Sequence, residues 1–92
     1  MSYERVIRSA TTTDLTIPIG GGFATTSLSL ADFGLSRFEV ILNVRVIRKE
    51  PVVGDVYEPS VGFNATADAI GLTLAAGTGT TLAAEVDVLG NP

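Results

Sequence analysis

The chain has 92 residues, which fit a single small domain, 1–92. It carries 10 acidic and 6 basic residues, a net charge of −4, and it contains no Cys, His or Trp. These counts exclude a disulfide scaffold, a Cys/His zinc site, a thiol nucleophile and histidine acid–base catalysis, and the acidic balance argues against nucleic-acid binding.

The composition predicts more apolar surface than one copy can bury. Hydrophobic residues make up 46% of the chain and charged residues only 17%, whereas an average domain is about 25% charged. A domain of this size buries only about 60–65% of the surface that its unfolded chain exposes. We therefore expect self-association or a larger assembly; the alternative is a monomer whose outer face is covered by Thr, Ser and Ala.

No membrane segment is expected. The longest charge-free stretches, 15–31 and 69–84, are interrupted by Gly, Thr or Ser and are poorer in apolar residues than the roughly 20-residue run that a spanning helix needs. The first residues lack the apolar core of a signal peptide, so we expect synthesis in the cytoplasm.

The first half of the chain alternates apolar and polar residues with the period of two that is typical of strands. The predicted segments are strands at 3–8, 15–19 and 23–30, with a polar connector at 9–13. Pro18 favours an edge position for the second strand. Ser29 and Asp32 match a weak capping box, so one helical turn and an ordinary loop are both open after the third strand.

The clearest predicted strand is 38–49. Its core face is predicted to consist of alternate apolar residues: Phe38, Val40, Leu42, Val44 and Val46. The opposite face mixes charged residues with Ile41 and Ile47. Such a strand would be nearly 40 Å long, at about 3.3 Å per residue. That length predicts either a bulge or an extension toward a neighbouring subunit.

The second half adds a loop at 50–60, a short strand at 61–66 with Phe63 in the core, and a final hairpin. The hairpin strands are 70–75 and 82–88, joined by a turn at 76–79 and followed by a tail at 90–92. Six to seven antiparallel strands with at most one short helical turn predict an all-β fold, either a small β-sandwich or a jelly-roll-like barrel.

Candidate catalytic and ligand sites are weak. Gly20–Gly22 lacks the Lys-Ser/Thr pair and the helix that follow a phosphate loop, so it predicts a hairpin turn. Asp55, Glu58 and Asp68 fit no calcium motif and are expected to be solvated. No His is present to activate a Ser or Thr. We therefore expect no enzyme activity, no cofactor and no metal.

Partner contacts are instead expected on exposed aromatic residues and on the mixed face of the long strand. The predicted partner-binding residues are Tyr3, Arg5, Ile41, Arg45, Ile47 and Tyr57. The stretch 1–13 is a candidate N-terminal arm that pairs with a neighbour.

Three segments resemble small virion proteins of tailed bacteriophages. They are the Thr-rich opening Ala10-Thr11-Thr12-Thr13-Asp14-Leu15, the run Thr26-Ser27-Leu28-Ser29-Leu30, and the closing pattern from Gly71-Leu72-Thr73-Leu74 to Val86-Asp87-Val88-Leu89-Gly90. The resemblance lies in composition and patterning, extends over most of the chain and includes no diagnostic motif.

This resemblance implies a virion structural protein: a capsid decoration (cement) protein, or a short fibre or tail component. Such proteins are β-rich, often trimeric, and lack catalytic residues. The implied partners are further copies of the chain, with a trimer favoured, and a major capsid or other virion protein; neither nucleic acid nor a membrane is expected. The alternatives are a receptor- or carbohydrate-binding module of a tail fibre, and an Ig-like interaction domain that adds a partner's strand to its edge.

Overall fold

The computed structural model describes residues 4–18, 23–49, 59–77 and 79–92. In these ranges seven strands and one helical turn form two antiparallel sheets that pack face to face, which confirms the predicted small all-β sandwich. The elements in chain order are β1 (Val6–Thr11), β2 (Leu15–Thr16), β3 (Ala24–Ser29), α1 (Leu30–Phe33), β4 (Arg37–Arg48), β5 (Ser60–Ala65), β6 (Ala69–Ala75) and β7 (Thr81–Asn91).

The strands divide into two sheets, called here sheet A and sheet B. In sheet A, β7 is central; β1 and β2 follow one another along one of its edges, and β4 pairs with the other edge. Sheet B has the order β3-β6-β5. Helix α1 contacts both β1 and β3 and so closes one side of the sandwich, while β4 lies next to β5 on the opposite side.

The core lies between the two central strands. Alternate residues of β7 and β6 point inward and are at most 2% exposed: Leu82, Ala84, Val86, Val88, Ile70, Leu72 and Leu74. β-branched and Leu side chains at every second position suit a strand that is buried on one face. The burial of these residues anchors both sheets and leaves the outer strands to determine the surface chemistry.

The helical turn α1 has a defined start and stop. The Ser29 N–H donates a hydrogen bond to the Asp32 carboxylate at 2.7 Å, and Gly34 ends the turn with a left-handed φ of 68°. Of the two open alternatives, the capped helical turn is therefore the one observed. In the described part of the chain no helix is long and apolar enough to cross a membrane.

A buried threonine bridges the gap between β1 and β2 on the edge of β7. The Thr12 N–H donates to the carbonyl of Ala84 at 2.9 Å, and the Ala84 N–H donates to the Thr12 Oγ1 at 3.0 Å. The side chain thus replaces a backbone acceptor at the point where the first strand ends and the second has not begun.

Strand boundaries at both ends of sheet A differ from those predicted. Strand β1 begins at Val6 and includes Ser9–Thr11, which were expected in the connector, because these residues pair one-to-one with Asp87, Val86 and Glu85. That pairing is within the same chain, although 1–13 was suggested as an arm for a neighbour. The expected tail likewise belongs to β7 through Asn91, since Gly90 and Asn91 pair with β1 and β4.

The predicted hairpin of the last two strands is wrong. Strand β6 pairs with β3 and β5, whereas β7 pairs with β1, β2 and β4, so the connection at 76–80 crosses from one sheet to the other. Backbone hydrogen bonds hold this crossing, with the Gly79 N–H donating to the Ile17 carbonyl at 2.9 Å. Alternation and a glycine-rich turn are common to a hairpin and to such a crossing, so the pattern does not distinguish them.

The predicted core face of the long strand is also partly wrong. Phe38, Val44 and Val46 pack on the core as expected, but Val40 is 50% and Leu42 49% exposed. The reason is two register irregularities against β7, between Phe38 and Val40 and between Ile41 and Asn43. Each inserts one extra residue, which reverses the inward and outward alternation. The predicted bulge is therefore present, and it occurs twice.

Two further predictions concern aromatic residues and the glycine turn. Phe33 is buried and packs edge-to-face on Phe38 with ring centroids 5.5 Å apart, but Phe63 is 53% exposed rather than part of the core. Phe63 lies on β5, which pairs with β6 and with no other described strand. The turn predicted at Gly20–Gly22 and most of the loop at 50–60 lie outside the described residues.

Candidate interaction surface

The outer face of sheet A carries an apolar row that crosses three strands. The register places Ile7 of β1 beside Leu89 of β7, and Leu89 beside Val40 of β4. Directly paired residues project from the same face of a sheet, and adjacent strands lie about 4.8 Å apart. These three side chains, called here the apolar row, therefore form a stripe across the sheet on the side away from the core.

The apolar row is well exposed to solvent. Ile7 is 68% and Val40 50% exposed, and Leu42, the extra residue of the second bulge, is 49% exposed beside it. Together with Leu89 these side chains present on the order of 300–400 Å² of apolar surface, the size of the largest such patch on a typical monomer. This patch is therefore the candidate for a contact surface on sheet A.

Charged residues on either side of the apolar row are paired within the chain. The Arg5 guanidinium lies 3.0 Å from the Glu39 carboxylate on one side. On the other side the Ser9 hydroxyl donates to Asp87 at 2.5 Å. The rim of the row is thus polar, with one ion pair on one side and a hydrogen-bonded carboxylate on the other.

A second polar contact lies further along the same face. Arg45 donates a hydrogen bond to Glu85 and forms an ion pair with it. This hydrogen bond, and then the negative charge of Glu85, raise the pKa of Arg45 above its ordinary value. Since Arg45 is fully ionised at every physiological pH in any case, the pair contributes orientation rather than a pH response.

A groove opens where the edges of the two sheets meet. It has a volume of about 500 Å³ and lies between the first half of β4 and the second half of β5. Its lining residues are Phe38, Glu39, Val40, Ile41, Phe63, Ala65 and Thr66. Val40 belongs both to the groove and to the apolar row, so the apolar surface is continuous around the β4 edge.

The outer face of sheet B has a different character. The paired residues Ser27, Gly71 and Asn64 form one row, and Thr25, Thr73 and Gly62 form the next. None of the strands β3, β5 and β6 contains an Asp, Glu, Lys or Arg. Every charged strand residue that the structure describes therefore belongs to sheet A.

The predicted partner-binding residues are only partly brought together. Arg45 and Ile47 lie on the outer face of sheet A, and Arg5 lies on the same face toward its other end. Ile41 is turned inward by the bulges and packs against the core, where it also lines the groove. Tyr3 and Tyr57 lie outside the described residues.

Several exposed apolar residues were missed because their exposure depends on the bulges and on sheet order. Val40, Leu42 and Phe63 all alternate in the sequence like core residues. Ile7 is the exception, because it shares a strand face with the predicted contact residue Arg5, two positions earlier, and that spacing was a usable signal.

The described residues hold no group of three or more acidic, His or Cys side chains close enough to ligate a metal ion. The chemistry that this surface offers is apolar contact with a polar rim, together with strand edges that pair with no other described strand. Comparison of the chain with protein-family models, with curated proteins and with solved structures found no match.

Proposed function

We propose that the chain is a non-enzymatic structural protein of a tailed-phage virion, a capsid decoration protein that self-associates and binds the shell. The observation that carries this proposal is the apolar row, in which Ile7 and Val40 are exposed on the outer face of sheet A with the half-buried Leu89 between them. The resemblance of the sequence to small virion proteins supplies the biological setting.

The layout of sheet A suits attachment to a large protein surface. The apolar row lies on a four-stranded sheet whose central strand is paired along both edges, so the face that carries it is well supported. Protein contacts typically consist of an apolar centre with a polar rim, and the row is flanked by the Arg5–Glu39 pair on one side and the Ser9–Asp87 hydrogen bond on the other. Self-associated copies engage the shell through several such contacts at once, so a modest contact per copy is sufficient.

The test is co-sedimentation of the purified chain with virions and with emptied shells of the phage that encodes it. Ile7→Lys places a charge in the row at a side chain that is 68% exposed, and we expect shell binding to fall at least tenfold. The matched control is Phe23→Lys, at a side chain that is 66% exposed and lies before β3 of the other sheet. The proposal predicts unchanged binding for that variant. Equal binding by both variants, or no binding by the wild-type chain, would refute it.

A second candidate function is carbohydrate binding at a fibre tip, and one observation favours it. The Phe63 side chain is half exposed on the wall of the groove, with Glu39 and Thr66 nearby as hydrogen-bonding groups. Sugars stack on exposed aromatic rings between polar groups. A glycan array should then give hits that Phe63→Ala abolishes, and an array without hits would count against this function.

A further inference from the structure

We propose that the free edge of β5 is a self-association surface. In this arrangement β5 pairs antiparallel with β5 of a second copy, about a two-fold axis at Phe63, and the two three-stranded sheets B become one six-stranded sheet. Among the strands that the structure describes, β5 pairs only with β6, so its other edge is not hydrogen-bonded to any described strand. An edge of this kind is a template for strand addition.

A comparison of the edge strands favours β5 over β4. Natural proteins protect edges with charges, prolines and bulges. Strand β4 carries Arg37, Glu39, Arg45 and Arg48 and is bulged twice. Strand β5, with the sequence SVGFNA, has no charge, no proline and no register shift against β6. The edge of β5 therefore has none of these protective features, whereas the neighbouring edge of β4 has charges and bulges.

When β5 pairs antiparallel with a second β5, large side chains lie opposite small ones. With the axis at Phe63, Val61 faces Ala65 of the second copy, and Gly62 faces Asn64 of the second copy. A Cβ placed on Gly62 would meet no atom within 4 Å, so there is room beside Gly62 for the Asn64 side chain of the second copy. The two Phe63 rings face each other, and cross-strand aromatic pairs stabilise antiparallel sheets. Each large side chain other than Phe63 thus meets a small one.

The pairing also accounts for the exposure of Phe63. This residue lies on the face of sheet B that carries the core, since it pairs with Leu72, yet it is 53% exposed because the groove beside it is open. A second copy of β5 would bring a second Phe63 to that groove. The contact covers apolar surface that one copy leaves in water, which is the driving force for association.

The area and the charge of the contact set its strength. Six-residue strands with their side chains bury about 400 Å² per copy, roughly half of the area in a standard stable complex. The dimer should therefore dissociate on dilution. Each copy carries a net charge of −4 and β5 carries none, so the copies repel without any ion pair between them. Added salt screens this repulsion and should strengthen the dimer.

This inference does not depend on the virion role, and it replaces the trimer favoured by the resemblance with a two-fold pair. A chain that dimerises but ignores shells would refute the proposed function alone. A chain that binds shells as a monomer would refute the dimer alone.

Cysteine trapping tests the register directly, because the wild-type chain contains no Cys. In the proposed pair the Cα atom of residue 62 in one copy lies about 4.5–5.5 Å from that of residue 64 in the other, within the range of a disulfide. The two Cα atoms of residue 64 lie on a diagonal at about 7–8 Å, beyond easy bridging. An equimolar mixture of Gly62→Cys and Asn64→Cys chains, which both keep Phe63, should form a covalent dimer on air oxidation at least tenfold faster than Asn64→Cys alone or Ser27→Cys alone, the latter in the same row on the opposite edge.

Sedimentation equilibrium provides a second test without cross-linking. The wild-type chain should form a concentration-dependent dimer that strengthens with salt, and Phe63→Lys should raise the dissociation constant at least tenfold. Phe23→Lys, at a similarly exposed Phe, should leave it unchanged. Far-UV circular dichroism checks that each variant is folded. A wild-type chain that stays monomeric up to millimolar concentration, or equal cross-linking rates for the mixture and for the Asn64→Cys and Ser27→Cys chains alone, would overturn the inference.

Discussion

Replacing Gly90 with Ala should destabilise the domain severely, because this position has no room for a methyl group. A Cβ on Gly90 would lie 2.4 Å from the carbonyl oxygen of Arg37 and 2.8 Å from Leu35 Cδ1. The oxygen belongs to the first residue of β4, which pairs with Asn91, so it can move only if the pairing of β4 with β7 moves as well. Overpacking ordinarily costs about 1–3 kcal/mol, and a backbone obstacle puts this variant at the upper end, about 3 kcal/mol.

Urea unfolding followed by far-UV circular dichroism measures this loss. For a domain of this size about 3 kcal/mol corresponds to a fall in Tm of roughly 12–24 °C. The matched control is Gly71→Ala in β6, where a Cβ would make only an ordinary contact, 3.6 Å from the Asn64 carbonyl oxygen. The control should be neutral or slightly stabilising, because Ala lowers the entropy of the unfolded chain. If Gly90→Ala unfolds within 1 kcal/mol of wild type, as judged against the usual overpacking range, the packing argument is wrong.

Three other substitutions probe the remaining interactions. Thr12→Val keeps the shape of the side chain but leaves the buried N–H of Ala84 without its acceptor, so the free energy of unfolding should fall by about 1–3 kcal/mol; an unchanged urea midpoint would contradict this. Ile70→Ala empties a fully buried site in β6 and should cost about 2–5 kcal/mol in the same assay. Arg45→Gln removes an exposed ion pair with Glu85 and should change stability by less than about 1 kcal/mol, whereas a larger loss would show that the pair is structurally important.

Local signals in the sequence were the most reliable. The capping box of Ser29 and Asp32 acts over three residues, and the structure contains it. The alternation of Ile70, Leu72 and Leu74 likewise predicted a strand at 70–75, which the structure contains as β6. In each case the physical cause lies in neighbouring residues, so one sequence contains enough information.

Non-local features were not predictable in the same way. The two bulges of β4 exist only relative to β7, so alternation alone assigned Val40 and Leu42 to the core. The assignment of β6 and β7 to different sheets depends on partners that are remote in sequence, such as β1 and β3. Phe63 appeared buried for the same reason, because only sheet order shows that β5 is an edge. The candidate surface could therefore be identified only from the pairing register of the strands, and not from the composition of the sequence.

The central position of β7 determines when the sandwich can form during synthesis. β7 is the last strand in chain order, yet β1, β2 and β4 pair with it and with no other described strand. Sheet B, in contrast, needs only residues 24–75. On a ribosome, sheet B, whose strands carry no charged residue, can form before β7 has been synthesised. The strands β1, β2 and β4 of sheet A have no pairing partner until β7 is available. The charges on β1 and β4 would then keep these unpaired strands soluble until β7 leaves the ribosome.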